Sequence, residues 1–259
     1  MSNIVSPQRR LSLFDVIERI QGDVPWGSVL DAGTGAQSAR WIAGLASTRW
    51  TAVSADAGHL TETREAISSK IRTGDRLIVG NWSDANFLAN EVFDTVVAEY
   101  LLGAIEGYAP YFQYQLFARL RPHVGRTLYV IGVDPYLTGR CDSTTGEIVQ
   151  SVGRFRDACA VLAGVSHYRE YPAEWVMDRL QQVGLRILFS RRFPSTYDLG
   201  WIDRQLTDSR ALINRLPENQ LVRALSEHAV TLRQRAADIV ERDGHLAHGQ
   251  HYLIAAEPI

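Results

Sequence analysis

Four short apolar runs in the first half of this chain end on polar residues that can do chemistry. Val29-Leu30 stops at Asp31, WTAVSA stops at Asp56, a third run closes at Gly80-Asn81-Trp82, and FDTVVA leads into Glu99-Tyr100. Asp31 is followed at alternate positions by Gly33 and Gly35. Ala39, Ile42, Leu45 and Ala46 then keep one helical face apolar. The order strand, tight glycine turn, helix puts bare backbone and a helix N-terminus at the carboxyl end of a buried strand. Nucleotide-like ligands dock in such places. Glycine suits the turn because a side chain there would block the ligand's approach.

The elements that must position these residues alternate. The patterns predict strands at 28–30, 50–55, 76–79, 95–98 and 127–133, with helices between them. One helix carries Leu60, Ile67 and Ile71, a short one spans 84–90 and another spans 110–121. An amphipathic helix is expected over 8–21, ended by Gly22 and Pro25. Later helices are expected near 148–162 and 173–183, followed by a strand at 185–190. Two helical patterns separated by Pro217 come next, then a last strand at 252–256. Such alternation means a parallel sheet covered on both faces. Right-handed crossovers send every parallel strand's carboxyl end to one rim, which gathers Asp31, Asp56, Asn81, Glu99 and Asp134.

The chain has 259 residues, 46% of them apolar and 22% charged, with a formal net charge of -2. This predicts a single domain over 1–259 with an N-terminal helical segment, 1–25, and a helical insertion, 196–248, over the substrate side. The insertion is far longer than a hairpin loop. No basic run stands out, so no nucleic-acid partner is expected. No stretch reaches the ~20 apolar residues of a membrane span, and the first residues lack the apolar core of a secretion signal. The expectation is a cytoplasmic protein with no membrane partner. Cys141 and Cys159 are too few for a disulfide framework.

The glycine turn resembles the first motif of class I S-adenosylmethionine-dependent methyltransferases, in which an acid, two residues before the first of two alternating glycines, ends the first strand. Asp31, Gly33 and Gly35 match; Gln37 stands where the family often has a third glycine. Gln37 would either crowd the methionine end or touch its carboxylate. The resemblance covers about residues 26–135. It implies a Rossmann-like α/β fold: a seven-stranded, mostly parallel sheet of order 3-2-1-4-5-7-6, the seventh strand antiparallel, with helices on both faces. It implies S-adenosyl-L-methionine as cofactor, with Asp31, Gly33, Gly35, Asp56, Asn81, Trp82 and Glu99 as binding residues. Asp56 would take the ribose hydroxyls, since a carboxylate accepts two hydrogen bonds, and Asn81 would accept the adenine amine. Trp82 either walls the adenine or packs in the core.

Methyl transfer from a sulfonium is an in-line displacement whose leaving group needs no acid, so positioning dominates. Glu99 and Tyr100, at the reactive edge, are the first catalytic candidates, each with a structural alternative. His245 and His248, at the end of the insertion, return to that edge as candidate general bases. His228 reads as a packed histidine. His167-Tyr168 lies in a loop. The run His245, His248, His251 is interrupted by Gly244 and Gly249, so no metal is expected. The acceptor is a small molecule or a protein side chain, and an oligomer is compatible with the exposed helices. Two other readings compete: a nicotinamide-dinucleotide oxidoreductase, for which Ser38 occupies the third-glycine position, and a non-catalytic scaffold of the same fold.

Overall fold

Side chains alternate across the strands of this protein with a period of two, and that alternation builds two cores. The computed structural model describes residues 11–259. On β1 (Ser28–Asp31), β4 (Phe93–Glu99) and β5 (Val124–Val133), Leu30, Val96, Leu128 and Val130 face one way. They pack with Leu116, Phe117 and Leu120 of α5 (Gln113–Leu120) and Val176 and Leu180 of α7 (Ala173–Gln182). Val29, Val97, Tyr129 and Ile131 face the other way. Val29 meets Ala39 and Ile42 of α2 (Ala36–Ile42) and Ile67 of α3 (Ala57–Ile67). Val97, Tyr129 and Ile131 meet Ile17 of α1 (Leu13–Gln21). Strands buried on both faces are what helix-covered parallel sheets require.

The sheet is completed by β2 (Arg49–Ser54), β3 (Arg76–Val79), β6 (Leu185–Tyr197) and β7 (Leu246–Pro258). Its order is β3-β2-β1-β4-β5-β7-β6, the expected one, and β7 runs antiparallel to both β5 and β6. Three helices stand apart from the two cores: α6 (Thr144–Leu162), α8 (Leu199–Ile213) and α9 (Asn219–Asp243). They share a third cluster, including Ile148, Val152, Phe155, Ile202, Leu206, Leu232 and Ala236, that rests on Val133 and Leu246. The helices α8 and α9 join β6 to β7.

The structure departs from the sequence expectations in four places. The expected helix over 8–21 reaches outside the described residues at its start; α1 begins after Ser12, whose side chain and that of Asp15 form a capping box. No helix forms over 84–90. Leu88 and Asn90 take left-handed backbone conformations, and Asp84 turns its side chain onto the Asn86 N–H. A short helix, α4 (Leu101–Ala104), follows β4 directly and was not anticipated. The last two strands are each 13 residues long, well beyond 185–190 and 252–256. Pro194 is accommodated because β6 is an edge strand, and the register against β7 shifts between Pro194 and Thr196, opposite Gly249.

No helix among the described residues is long and apolar enough to cross a membrane. Both cysteines are free, and no group of His, Cys, Asp or Glu among the described residues is placed to hold a metal ion.

Candidate active site

The carboxyl ends of β1, β2, β3 and β4 open onto a cleft of about 160 Å³. Its walls include Gly33 and Thr34 from the glycine turn, Ser54 and Ala55 after β2, His59 of α3, and Asn81 and Trp82 after β3. Glu99, Tyr100, Ile105 and Tyr108 close the far side, and Tyr168 reaches in from a later loop. Hydrogen bonds fix the turn at both ends. The Thr34 N–H donates to the Val53 carbonyl at 2.7 Å. The Ser38 hydroxyl accepts from the Gly35 N–H at 3.0 Å and donates to the Gly35 carbonyl at 3.2 Å. Gly33 is small for a reason the sequence hides: a β-carbon there would lie 2.9 Å from Leu101 Cδ1. Gln37 is exposed and is not among the residues that line the cleft.

Two carboxylates meet beside this turn. Asp31 pairs in register with Val97, and Glu99 is two residues further along the same strand, so both point to one face of the sheet. Asp31 is fully buried, and neither carboxylate oxygen accepts a hydrogen bond. The Ser38 and Thr34 hydroxyls and the Gly33 N–H lie near enough to favour its charge but too far to bond it. Burial outweighs them and pushes its pKa up to about 6. Glu99 lines the cleft and makes no hydrogen bond or ion pair with a described residue. Burial, with the Asp31 charge added, pushes it up to about 8. An unpaired acid pair against a cleft is a seat for a cation.

The other expected residues divide. Asp56 caps α3, its Oδ1 accepting from the His59 N–H at 2.7 Å. Burial raises the Tyr108 pKa and the Asp56 charge adds to it; Asp56 itself follows the cleft-lining Ser54 and Ala55 without being part of that lining, and its Oδ2 takes no part in the cap. Asn81 lines the cleft, but its oxygen accepts from both the Ser83 N–H, at 3.0 Å, and the Ser83 hydroxyl, at 2.9 Å. Its amide donates to the Tyr108 carbonyl at 2.8 Å. Two lone pairs are all an amide oxygen has, so accepting an adenine amine is not open to it in this arrangement. Trp82 packs in the core and also lines the cleft: it is 3% exposed, donates to the Ala32 carbonyl at 2.6 Å and packs on Phe87.

Tyr100 has φ 50° and ψ 11°, a left-handed conformation uncommon outside glycine, and it starts α4. Its hydroxyl lies 3.1 Å from His251 Nδ1. Between Ala247 and Gln250 the register of β7 against β6 shifts by one residue, so strict alternation is interrupted there and His248 and His251 are told apart by their contacts. His248 does not line the cleft: its Nε2 meets the Tyr136 carbonyl at 2.8 Å and its Nδ1 lies 3.7 Å from Cys141 Sγ. His245 lines a separate exposed depression with Tyr197 and Trp201. Strand β7 begins at Leu246, beyond the carboxyl end of β5, where Val133 pairs with His251, so both histidines return to that edge of the sheet, but neither lines the cleft. Asp134 is structural as well, accepting from the Ala173 N–H at 3.0 Å and pairing with Arg192 at 2.6 Å. His228, expected to be packed, is exposed, with its ring edge-on to Phe155.

Cleft and sheet together define the Rossmann-like methyltransferase architecture. Solved structures of that class superpose on nearly the whole chain. A candidate methyltransferase from Bacillus halodurans C-125 has TM-score 0.60 and 14% identity over 95% of this chain and 99% of its own. An S-adenosylmethionine-dependent methyltransferase from Geobacter sulfurreducens, in complex with S-adenosylhomocysteine, has TM-score 0.53 and 10% identity over 95% of this chain and 90% of its own. A mycolic acid cyclopropane synthase, also complexed with S-adenosylhomocysteine, has TM-score 0.54 and 14% identity over 95% and 82%. No protein-family model and no curated protein matches the chain.

Proposed function

We propose that this protein is an S-adenosylmethionine-dependent methyltransferase acting on a small molecule or a protein side chain. The observation that carries the reading is the Asp31–Glu99 pair, two carboxylates without a protein cation beneath a bare glycine turn. S-Adenosylmethionine suits that pair in charge, since its methionine end carries an ammonium and the reacting centre is a sulfonium. The backbone of Gly33 and Thr34 would cradle the methionine end, Asp56 Oδ2 would take the ribose hydroxyls, and Trp82, Ile105 and Tyr108 would wall the base. Asn81 serves by holding the Tyr108 carbonyl, hence the wall. The bound cofactor supplies an electrophilic methyl whose departure leaves a neutral thioether. The chain's part is to exclude water and align the acceptor.

A nicotinamide dinucleotide would bring an anionic pyrophosphate against the same two acids, so the charge of the cleft disfavours it. Calorimetric titration and thermal denaturation with S-adenosylhomocysteine and with NAD check the reading. S-Adenosylhomocysteine is expected to bind and raise the melting temperature, and NAD to leave it unchanged. A melting point raised by NAD alone, or by neither compound, would discard it.

A further inference from the structure

Tyr100 lines the cleft, but its hydroxyl has a partner behind the wall. That partner is His251 of β7, whose Nδ1 lies 3.1 Å from the phenol oxygen and which is not part of the cleft lining. The two rings meet edge to face, with centroids 5.7 Å apart. Strand β5 sets both residues at one end of the sheet: the Tyr100 N–H donates to the Ile131 carbonyl at 2.8 Å, and His251 pairs with Val133. The second ring nitrogen of His251, Nε2, has no partner among the described residues and is not closed off from water. Tyr100 holds its place with φ 50°, a backbone conformation of the kind that gathers at functional sites.

An imidazole whose Nε2–H faces water carries a lone pair at Nδ1, and a phenol at this distance donates to it. A phenol oxygen whose proton is engaged in this way has only lone pairs left to offer. Toward the cleft it recognises a donor. Burial, with the Glu99 charge next, pushes the Tyr100 hydroxyl up, and burial pushes His251 down. Both groups are therefore uncharged near neutral pH, unlike the Asp31–Glu99 pair that the cofactor's ammonium would occupy.

We infer that Tyr100 and His251 form a proton relay leading out of the cleft, and that the methyl acceptor is a hydroxyl. This deepens, and rests on, the methyltransferase reading. A hydroxyl attacks well only as its proton leaves, whereas an amine that arrives neutral needs no base for the attack. The acceptor O–H gives its proton to the Tyr100 oxygen while the Tyr100 proton passes to His251 Nδ1. The acceptor oxygen's lone pair forms the bond to the methyl carbon as the carbon–sulfur bond breaks, and that electron pair stays on sulfur. The imidazolium then releases its Nε2 proton to water. Tyr100 is the catalytic residue, and His251 acts through it as a positioning residue.

The test compares phenol with aniline and with anisole, which has no donor. Each is titrated into the protein saturated with S-adenosylhomocysteine and followed by ligand-observed magnetic resonance. Phenol is expected to bind about tenfold more tightly than either of the others, a difference of about 1.4 kcal/mol. Tyr100→Phe is expected to erase that preference and His251→Leu to weaken it. His251→Gln, whose amide oxygen can accept from Tyr100, is expected to keep most of it, which a packing role for the imidazole would not explain. Nitrogen-15 magnetic resonance of histidine-labelled protein reads the relay itself: His251 should show a bare Nδ1 and a protonated Nε2, and phenol but not anisole should shift both signals. Phenol binding no more tightly than aniline or anisole, a preference that survives in Tyr100→Phe, or a proton resident on Nδ1 would overturn the assignment. Failure of S-adenosylhomocysteine to bind the parent would count against the methyltransferase reading instead. The phenol preference and the nitrogen signals can still be measured on the free protein.

Discussion

Asp31 and Glu99 both have pKa values raised above the ordinary carboxylate range, and a sign follows for stability as well as for binding. A raised carboxylate means that the native state holds a proton the unfolded chain has lost. Between the ordinary carboxylate pKa and about 8, the folded form therefore binds more protons, and stability falls as pH rises through that window. A ligand that brings an ammonium to the pair favours its ionised form, so S-adenosylhomocysteine affinity should climb from pH 6 to pH 8 and protons should leave on binding. Calorimetry in buffers of differing ionisation enthalpy reads that release directly. Glu99→Gln should weaken binding by about tenfold, roughly 1.4 kcal/mol, yet make the free protein more resistant to heat at pH 8. Affinity that ignores pH would show that the pair does not face the ligand's charge. The position of both acids was legible in the sequence, because each ends an apolar run whose strand direction is fixed. Their lack of any partner was not legible, since it depends on how far the Ser38 and Thr34 hydroxyls stop short.

Elements decide which of the remaining candidates reach the cleft. The glycine turn, the strand order and the carboxyl-end rim follow from hydrophobic period and crossover handedness, and sequence periodicity exposes both. What it conceals is the length of an edge hairpin. With β7 read as 252–256, His245 and His248 fall in a returning loop; with β7 starting at Leu246, His248 belongs to the strand and meets Tyr136 and Cys141, while His251 meets Tyr100. Asp56 carries both an element role and a site role, and two substitutions separate them. Asp56→Ala removes the cap of α3 and should cost about 1 kcal/mol of stability. Asp56→Asn keeps a capping oxygen and should keep that stability. Both should bind S-adenosylhomocysteine more weakly, because neither retains the second carboxylate oxygen. An Asn variant that binds as the parent does would reduce Asp56 to a helix cap.

At the scale of the molecule, the cofactor cleft and the helices joined to the far edge of the sheet belong to different packing units. The cleft is walled by β1–β4, α3 and α4, whose side chains sit in the clusters on the two faces of the sheet. The helices α6, α8 and α9 share their own cluster and touch the sheet through Val133 and Leu246. Leu232 is 1% exposed within that cluster. Leu232→Ala should destabilise it by about 2–5 kcal/mol, the usual range for a buried leucine. Because the units are separate, that loss should open the three helices locally before it unfolds the sheet. Hydrogen exchange followed by mass spectrometry is expected to show faster exchange across α6, α8 and α9 and unchanged protection in β1, β2 and α2. S-Adenosylhomocysteine affinity should hold. Uniformly faster exchange would mean that the two units fold as one, with the helices as part of the sheet's own stability.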